Sequence, residues 1–179
     1  MTALSPPFSQ AFDLGDLGRG AADVRIAAHG DQLAKIAAWA GVPAVETFGA
    51  EVHLTRKSAT RFSLDAELVA DIVQECVVTL DPVRTHIERP VHRELHLVEP
   101  MRLKAHEVVP LTAGAGDDDV PEEIETLHYD IAAPLLEELL LAIDPYPRAP
   151  GVAFVTQEDA AADKPESPFA VLKALKQAR

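Results

Sequence analysis

The chain of 179 residues has a single cysteine, Cys76. One thiol excludes an internal disulfide framework and any four-thiolate zinc site. Long uninterrupted apolar runs are also missing, so nothing reads as a membrane-spanning helix. The first ten residues, MTALSPPFSQ, lack the basic start and apolar stretch of a secretory signal. We therefore expect a soluble, cytoplasmic protein with no membrane role. Positive charge is scarce, 16 Lys and Arg against 29 Asp and Glu, for a net charge of −13. Between Glu107 and Pro147 there is no Lys or Arg at all. The acids there are Glu107, Asp117, Asp118, Asp119, Glu122, Glu123, Glu125, Asp130, Glu137, Glu138 and Asp144, giving the region a charge of about −11. Such a surface repels a phosphate backbone, so broad electrostatic binding of DNA or RNA is not expected. No internal repeat is visible.

What is present is enough apolar residue, 47% of the chain, to bury one core. Asp31 is placed to cap a short helix with Leu33, Ile36, Ala37 and Ala40 on one face, stopped by Gly41 and Pro43. Phe48, Ala50, Val52 and Leu54 alternate with polar residues, the period of a half-buried strand. A longer alternation runs from Phe62 to Leu80 through Leu64, Leu68, Ile72, Gln74, Cys76 and Val78. It is too long for one average strand, so we expect a strongly bent strand or two joined tightly. Beyond Pro82, Ile87, Val91, Leu95 and Leu97 alternate with His86, Glu88, His92, Glu94 and His96, and Pro90 argues for an edge position or a bulge. Residues 109 to 125 have no usable period and read as an acidic loop. Leu135, Leu136, Leu139, Leu140 and Ile143 form a helical stripe with Pro134 in its first turn, and Leu141 is left on the polar side. Pro145, Pro147 and Pro150 end that helix. The whole predicts an α+β fold: a strongly bent or barrel-like antiparallel sheet with two or three packed helices and an acidic loop. It divides into a domain over 1–155, a polar linker over 156–167 and a C-terminal amphipathic helix over 168–179.

Each candidate for chemistry has a plainer reading beside it. Cys76 falls in phase with Phe62 and Ile72, which points its thiol into the core. There an apolar environment raises its pKa and makes it packing rather than a nucleophile. Gln74 on the same side then needs a hydrogen-bond partner. His92, Glu94 and His96 project to one side of a strand and could hold a divalent ion; we favour a solvated face of alternating charge. Glu137 and Glu138 point about 100° apart on a helix and read as solubilising. Gly114 and Gly116 lack the strand and helix of a phosphate loop. No Ser/His/Asp or Cys/His arrangement stands out, so the residues name no enzyme, no cofactor and no metal site.

Three stretches stand out together: QECVVTLDPV at 74–83, EELLLAIDPYPRAPG at 137–151 and PFAVLKALK at 168–176. In combination they resemble the YceD family, whose members are described as needed for accumulation of large-subunit ribosomal RNA in bacteria and plastids. GVPAVETFGAEVHL at 41–54 agrees, and the order and spacing resemble those of the alphaproteobacterial branch. Other branches carry Cys-x-x-Cys where this chain has Cys76-Val77-Val78-Thr79, so a zinc site there would be lost here. Relatives usually read Asp-Leu-Gly-Glu-Leu where this chain has Asp130-Ile131-Ala132-Ala133-Pro134.

The resemblance implies a noncatalytic ribosome-biogenesis factor supporting accumulation of large-subunit (23S) ribosomal RNA. Its expected partner is a ribosome-assembly protein or a large-subunit precursor, with any direct RNA contact confined to a patch such as Arg84, Arg89 and Arg93. The partner-binding residues we expect are Glu137, Glu138, Leu141, Tyr146, Pro147, Arg148, Phe169, Leu172 and Lys173, since Tyr and Arg are enriched in binding hot spots. The competing readings are a metal-dependent small-molecule enzyme using His92, Glu94 and His96, and a barrel holding an apolar ligand.

Overall fold

The structure is a computed structural model that describes residues 6–18, 20–98 and 121–152. The chain enters through β1 (Ala11–Asp13), a 3-10 turn (Leu14–Leu17) and β2 (Ala21–Ala27), then forms helix α1 (Asp31–Ala40). Three long strands follow: β3 (Ala44–Arg56), β4 (Arg61–Glu75) and β5 (Pro82–Leu97). After the acidic segment come β6 (Glu122–Ile124), β7 (His128–Asp130) and helix α2 (Ala133–Ala142). β2 to β6 make one five-stranded sheet in sequence order, while β1 and β7 pair separately.

Alternation makes this sheet two-sided, with Ser63 of β4 the buried exception on the outward phase. In β4 the inward residues Phe62, Leu64, Leu68, Ala70 and Ile72 are fully buried, while Asp65, Glu67 and Val69 face out. Each large apolar side chain so buried contributes about 1.5–3 kcal/mol. The inward side chains of β3, β4 and β5 join Ile36 of α1 and Leu135, Leu136 and Leu139 of α2 in one core. Both helices therefore serve one side of the sheet.

The α+β content holds, but the barrel does not. The order runs from β2 to β6 without those two pairing, so the sheet is open and has no enclosed interior. The alternation from residue 62 is one strand rather than two, paired continuously with β5 and paired with β3 through one register shift between Val45 and Thr47. It stops at Glu75, where residues 76–81 turn, so Val78 and Leu80 leave the inward phase and are 37% and 72% exposed. Pro90 needs no bulge: the β4–β5 register passes through it unbroken, and β6 covers β5 only at Leu95 to Leu97. Proline there removes a donor the ladder does not use.

Local details correct the expected caps. α1 is entered through Gly30, and Gln32 reaches back to accept the amide of His29 at 2.9 Å, so Asp31 is the first helical residue rather than the cap. Its charge still suits the helix N-terminus. Gly41 at φ 70° ends α1 in the left-handed conformation that an L side chain adopts at a cost. Before α2, Asp130 Oδ1 accepts the amides of Gln10 at 2.8 Å and Ala132 at 3.0 Å, which sets the turn into the helix. Part of the expected acidic loop is a strand: β6 lies parallel to the end of β5, and Glu122 accepts the Tyr129 hydroxyl at 2.9 Å. Burial raises the Tyr129 pKa, so that hydroxyl stays a donor. The expected linker and C-terminal helix lie outside the described residues.

Candidate functional site

The chain leaves β4 through a turn that holds three of the residues the sequence placed in the core, Cys76, Val78 and Leu80. Cys76 amide donates to Asp81 carbonyl at 2.8 Å and Leu80 amide to Cys76 carbonyl at 2.9 Å, closing residues 76–81 on themselves. Leu80 pays for this with φ 63°, the one non-glycine in left-handed backbone among the described residues. An L residue there costs roughly 1–2 kcal/mol. Leu80 is also 72% exposed, so neither backbone preference nor core packing accounts for a leucine at this position.

A second segment, 70 residues later, is tied to this turn. Gln74 Nε2 donates to Asp144 carbonyl at 2.7 Å, Val77 amide to Pro147 carbonyl at 2.9 Å, and Ala149 amide to Cys76 Sγ at 3.3 Å. These bonds hold the chain after α2 against the end of the sheet. Gln74, 5% exposed, thereby finds the partner its burial demands. The result gathers exposed apolar side chains at one end of the fold. Val77, Val78 and Leu80 come from the turn; Leu140 (41% exposed), Leu141 (77%) and Tyr146 (71%) come from the end of α2 and the segment beyond. Only Val69 among the described large apolar residues is exposed elsewhere.

The sequence-predicted residues divide here. Leu141 and Tyr146 are open to solvent at this end, with Arg148 exposed and Glu138 partly exposed nearby. Glu137 is exposed and lies 3.6 Å from Arg93. Pro147 is buried, so its contribution is the carbonyl that receives Val77. Phe169, Leu172 and Lys173 lie outside the described residues. Val78 and Leu80 were missed because their spacing continued the strand's period, and Val77 because it fell on the opposite, outward phase. The adjacent Asp81-Pro82 pair was the turn signal that separates them from it.

Cys76 differs from its expected state. It has no solvent exposure, but it stands beside the turn rather than in the main apolar core. Its pKa is lowered to about 7, where an apolar setting had been expected to raise it. The largest cause is the Thr79 side chain, followed by the amides of Ala149, Thr79 and Val78, all of which stabilise the thiolate. Among the described residues no His or Lys hydrogen-bonds the sulfur, and its burial keeps substrates away.

The remaining candidates are taken apart by the sheet. Arg84 faces outward and pairs with Glu46 at 3.1 Å, whereas Arg89 and Arg93 fall on the inward side of β5, so the three do not form one basic patch. His92 Nδ1 lies 2.6 Å from Asp65, and its other nitrogen is 3.7 Å from Glu94, with His96 farther along the strand. Among the described residues, no group of three or more His, Cys, Asp or Glu side chains is placed to hold a metal ion. The open sheet removes the barrel interior that the apolar-ligand reading required. No described helix is long and apolar enough to cross a membrane.

A family model described as large ribosomal RNA subunit accumulation protein YceD matches residues 64–176. The match runs from β4 through the turn, α2 and the segment behind it, and covers more than half of the chain, so the chain belongs to this family. No curated protein and no solved structure matches it.

Proposed function

We propose that this member of the YceD family supports accumulation of large-subunit (23S) ribosomal RNA as a noncatalytic factor, by binding a ribosome-assembly protein through the apolar end of the sheet. The observation that carries the reading is Leu80, an exposed leucine held in left-handed backbone in a turn that is hydrogen-bonded to the segment carrying Tyr146. Exposed apolar groups brought together by long-range hydrogen bonds are the ordinary makings of a protein interface. All of them lie within the family match. The net charge of −13 disfavours wrapping of bare RNA and favours a route through protein. The work belongs in the cytoplasm, where the precursor is assembled.

The test is a paired one in cells. Tagged full chain should recover an assembly protein or a large-subunit precursor, and the double variant Leu141→Asp, Tyr146→Ala should not. Hot-spot side chains of this kind contribute about 2 kcal/mol or more each, so the loss should be nearly complete. The same variant should fail to restore the 23S level in a depleted strain while keeping its melting temperature. Normal recovery and a normal 23S level in the variant would remove the apolar end as the binding surface.

A further inference from the structure

The outward side of the five-stranded sheet has its own organisation, separate from the apolar end. Strand register lines its residues up in rows that cross the sheet: Asp23, His53, Asp65, His92; then Arg25, Glu51, Glu67, Pro90; then Ala27, Gly49, Val69, Glu88; then Thr47, Asp71, His86. With histidine counted as neutral, the carboxylates in these rows outnumber the single guanidinium of Arg25; Arg61 and Arg84 stand beyond them at the two ends of the face.

One pairing works against the fold. Glu51 and Glu67 stand directly opposite each other on β3 and β4. Like charges in that position are destabilising. Arg25 is ion-paired with Glu51, but no described cation lies within ion-pairing distance of Glu67. The surroundings are those of a seat rather than a bare charge cluster. One shallow depression is lined by Arg25, Gly49, Glu51, Glu67 and Val69, and a second by Glu51, His53, Asp65, Glu67, Pro90 and His92. Glu51 and Glu67 border both. Gly49 keeps the first open, since a Cβ there would come within 2.8 Å of the Ile26 carbonyl. Val69, 38% exposed, offers the apolar floor.

We propose that this uncovered sheet face docks a Lys- and Arg-rich extended segment of a partner protein. The charge and the floor both select that occupant: a basic side chain lays its aliphatic stem on Val69 or Pro90 and brings its head to the Glu51–Glu67 pair. Phosphate-bearing partners are repelled by the same carboxylates. Spacing agrees as well. Successive rows are two strand residues apart, roughly 7 Å, which is the distance between alternate side chains of an extended peptide. Basic residues at every second position therefore run along β4 past Glu67, with Asp65, already paired with His92 at 2.6 Å, next to it. This surface is distinct from the apolar end and does not depend on the reading given there.

The experiment measures binding of full-length protein to a labelled dodecapeptide carrying Lys at alternate positions, by fluorescence anisotropy at low and physiological salt. Glu67→Lys should weaken binding by about tenfold or more, as reversal of a charge facing a cationic partner does. Glu125→Lys makes the same change in net charge, beyond the end of β6, and should weaken it less than about twofold. Glu67→Gln should also lower affinity while leaving the melting temperature equal or higher, because it relieves the repulsion with Glu51; this separates lost binding from lost folding. Equal losses in Glu67→Lys and Glu125→Lys would overturn the proposal, since the peptide would then be responding only to overall charge. Tight binding of a single-stranded RNA oligomer at this face, abolished by the same Glu67→Lys change, would overturn it too.

Discussion

The outward sheet face and the apolar end are both exposed, yet their side chains are held in opposite ways. On the face, partners come from neighbouring strands: His53 lies 2.6 Å from Asp23, His92 2.6 Å from Asp65 and His86 2.7 Å from Asp71. At the end, the apolar side chains themselves are unpaired, and the bonds that gather them are backbone and amide links across 70 and 73 residues. A surface made of local pairings tolerates the loss of one partner. A surface assembled by a few distant links does not.

The largest effect expected from that contrast is on stability at the end. Gln74→Leu removes the donor to Asp144 carbonyl inside a nearly buried site, at a cost of about 1–3 kcal/mol in chemical denaturation. Glu67→Gln on the face should stay within about 0.5 kcal/mol. If the two were alike, the distant links would not be what holds the end together. Next in size is Leu80→Asn. Asparagine accepts left-handed backbone readily, so stability should hold or rise by up to about 1 kcal/mol while partner recovery falls. A clear loss of stability instead would mean that Leu80 serves the fold.

A smaller effect concerns Cys76, the chain's only thiol. Thiolate absorbance near 240 nm should titrate with a midpoint of about 7. Thr79→Val should move the midpoint upward, toward the ordinary 9.0, because the Thr79 side chain is the first cause of the depression. An unmoved midpoint would leave the amide donors as the whole explanation.

The smallest effect belongs to the face. His86 is held above its ordinary 6.5, first by the hydrogen bond with Asp71 and then by Glu88, and Asp71 is held below its ordinary 3.8, first by the Thr47 hydroxyl and then by His86. The signs follow from which charged form is favoured. The His86 contribution to stability is complete below 6.5 and disappears as pH rises through its raised folded value. The Asp71 contribution is present above 3.8 and disappears as pH falls through its lowered folded value. The pair thus stabilises most between those limits. Asp71→Asn should bring the His86 titration, followed by NMR, back toward 6.5; no change would assign the shift to Glu88 alone.

Much of the fold was legible because it rests on short-range patterns. Period two found β3, β4 and β5, and the leucine stripe found α2 with Pro134 in its first turn. β1 and β7 escaped notice because three residues carry no period, and the parallel pairing of β5 with β6 escaped it because the two lie far apart in the chain. The candidate site was half visible. Leu141 stood out as a leucine on a polar helix face, and Tyr146 as an aromatic in a proline-rich segment. Leu80 did not, since alternation continued past the point where the hydrogen bonds of the turn took over from the ladder.

The sequence alone determined that the chain is acidic, that its sheet has an apolar and a polar side, and that it resembles the family to which it belongs. These follow from composition and from the alternation of side chains along an extended backbone, which need no knowledge of what lies across the molecule. Only the tertiary structure decided that the sheet stays open, that Cys76 sits among N–H donors instead of hydrocarbon, and that Leu80, Leu141 and Tyr146 share one end. Each of these depends on which distant backbone groups satisfy one another, and hydrogen bonding between residues 70 apart leaves no periodic trace in the chain.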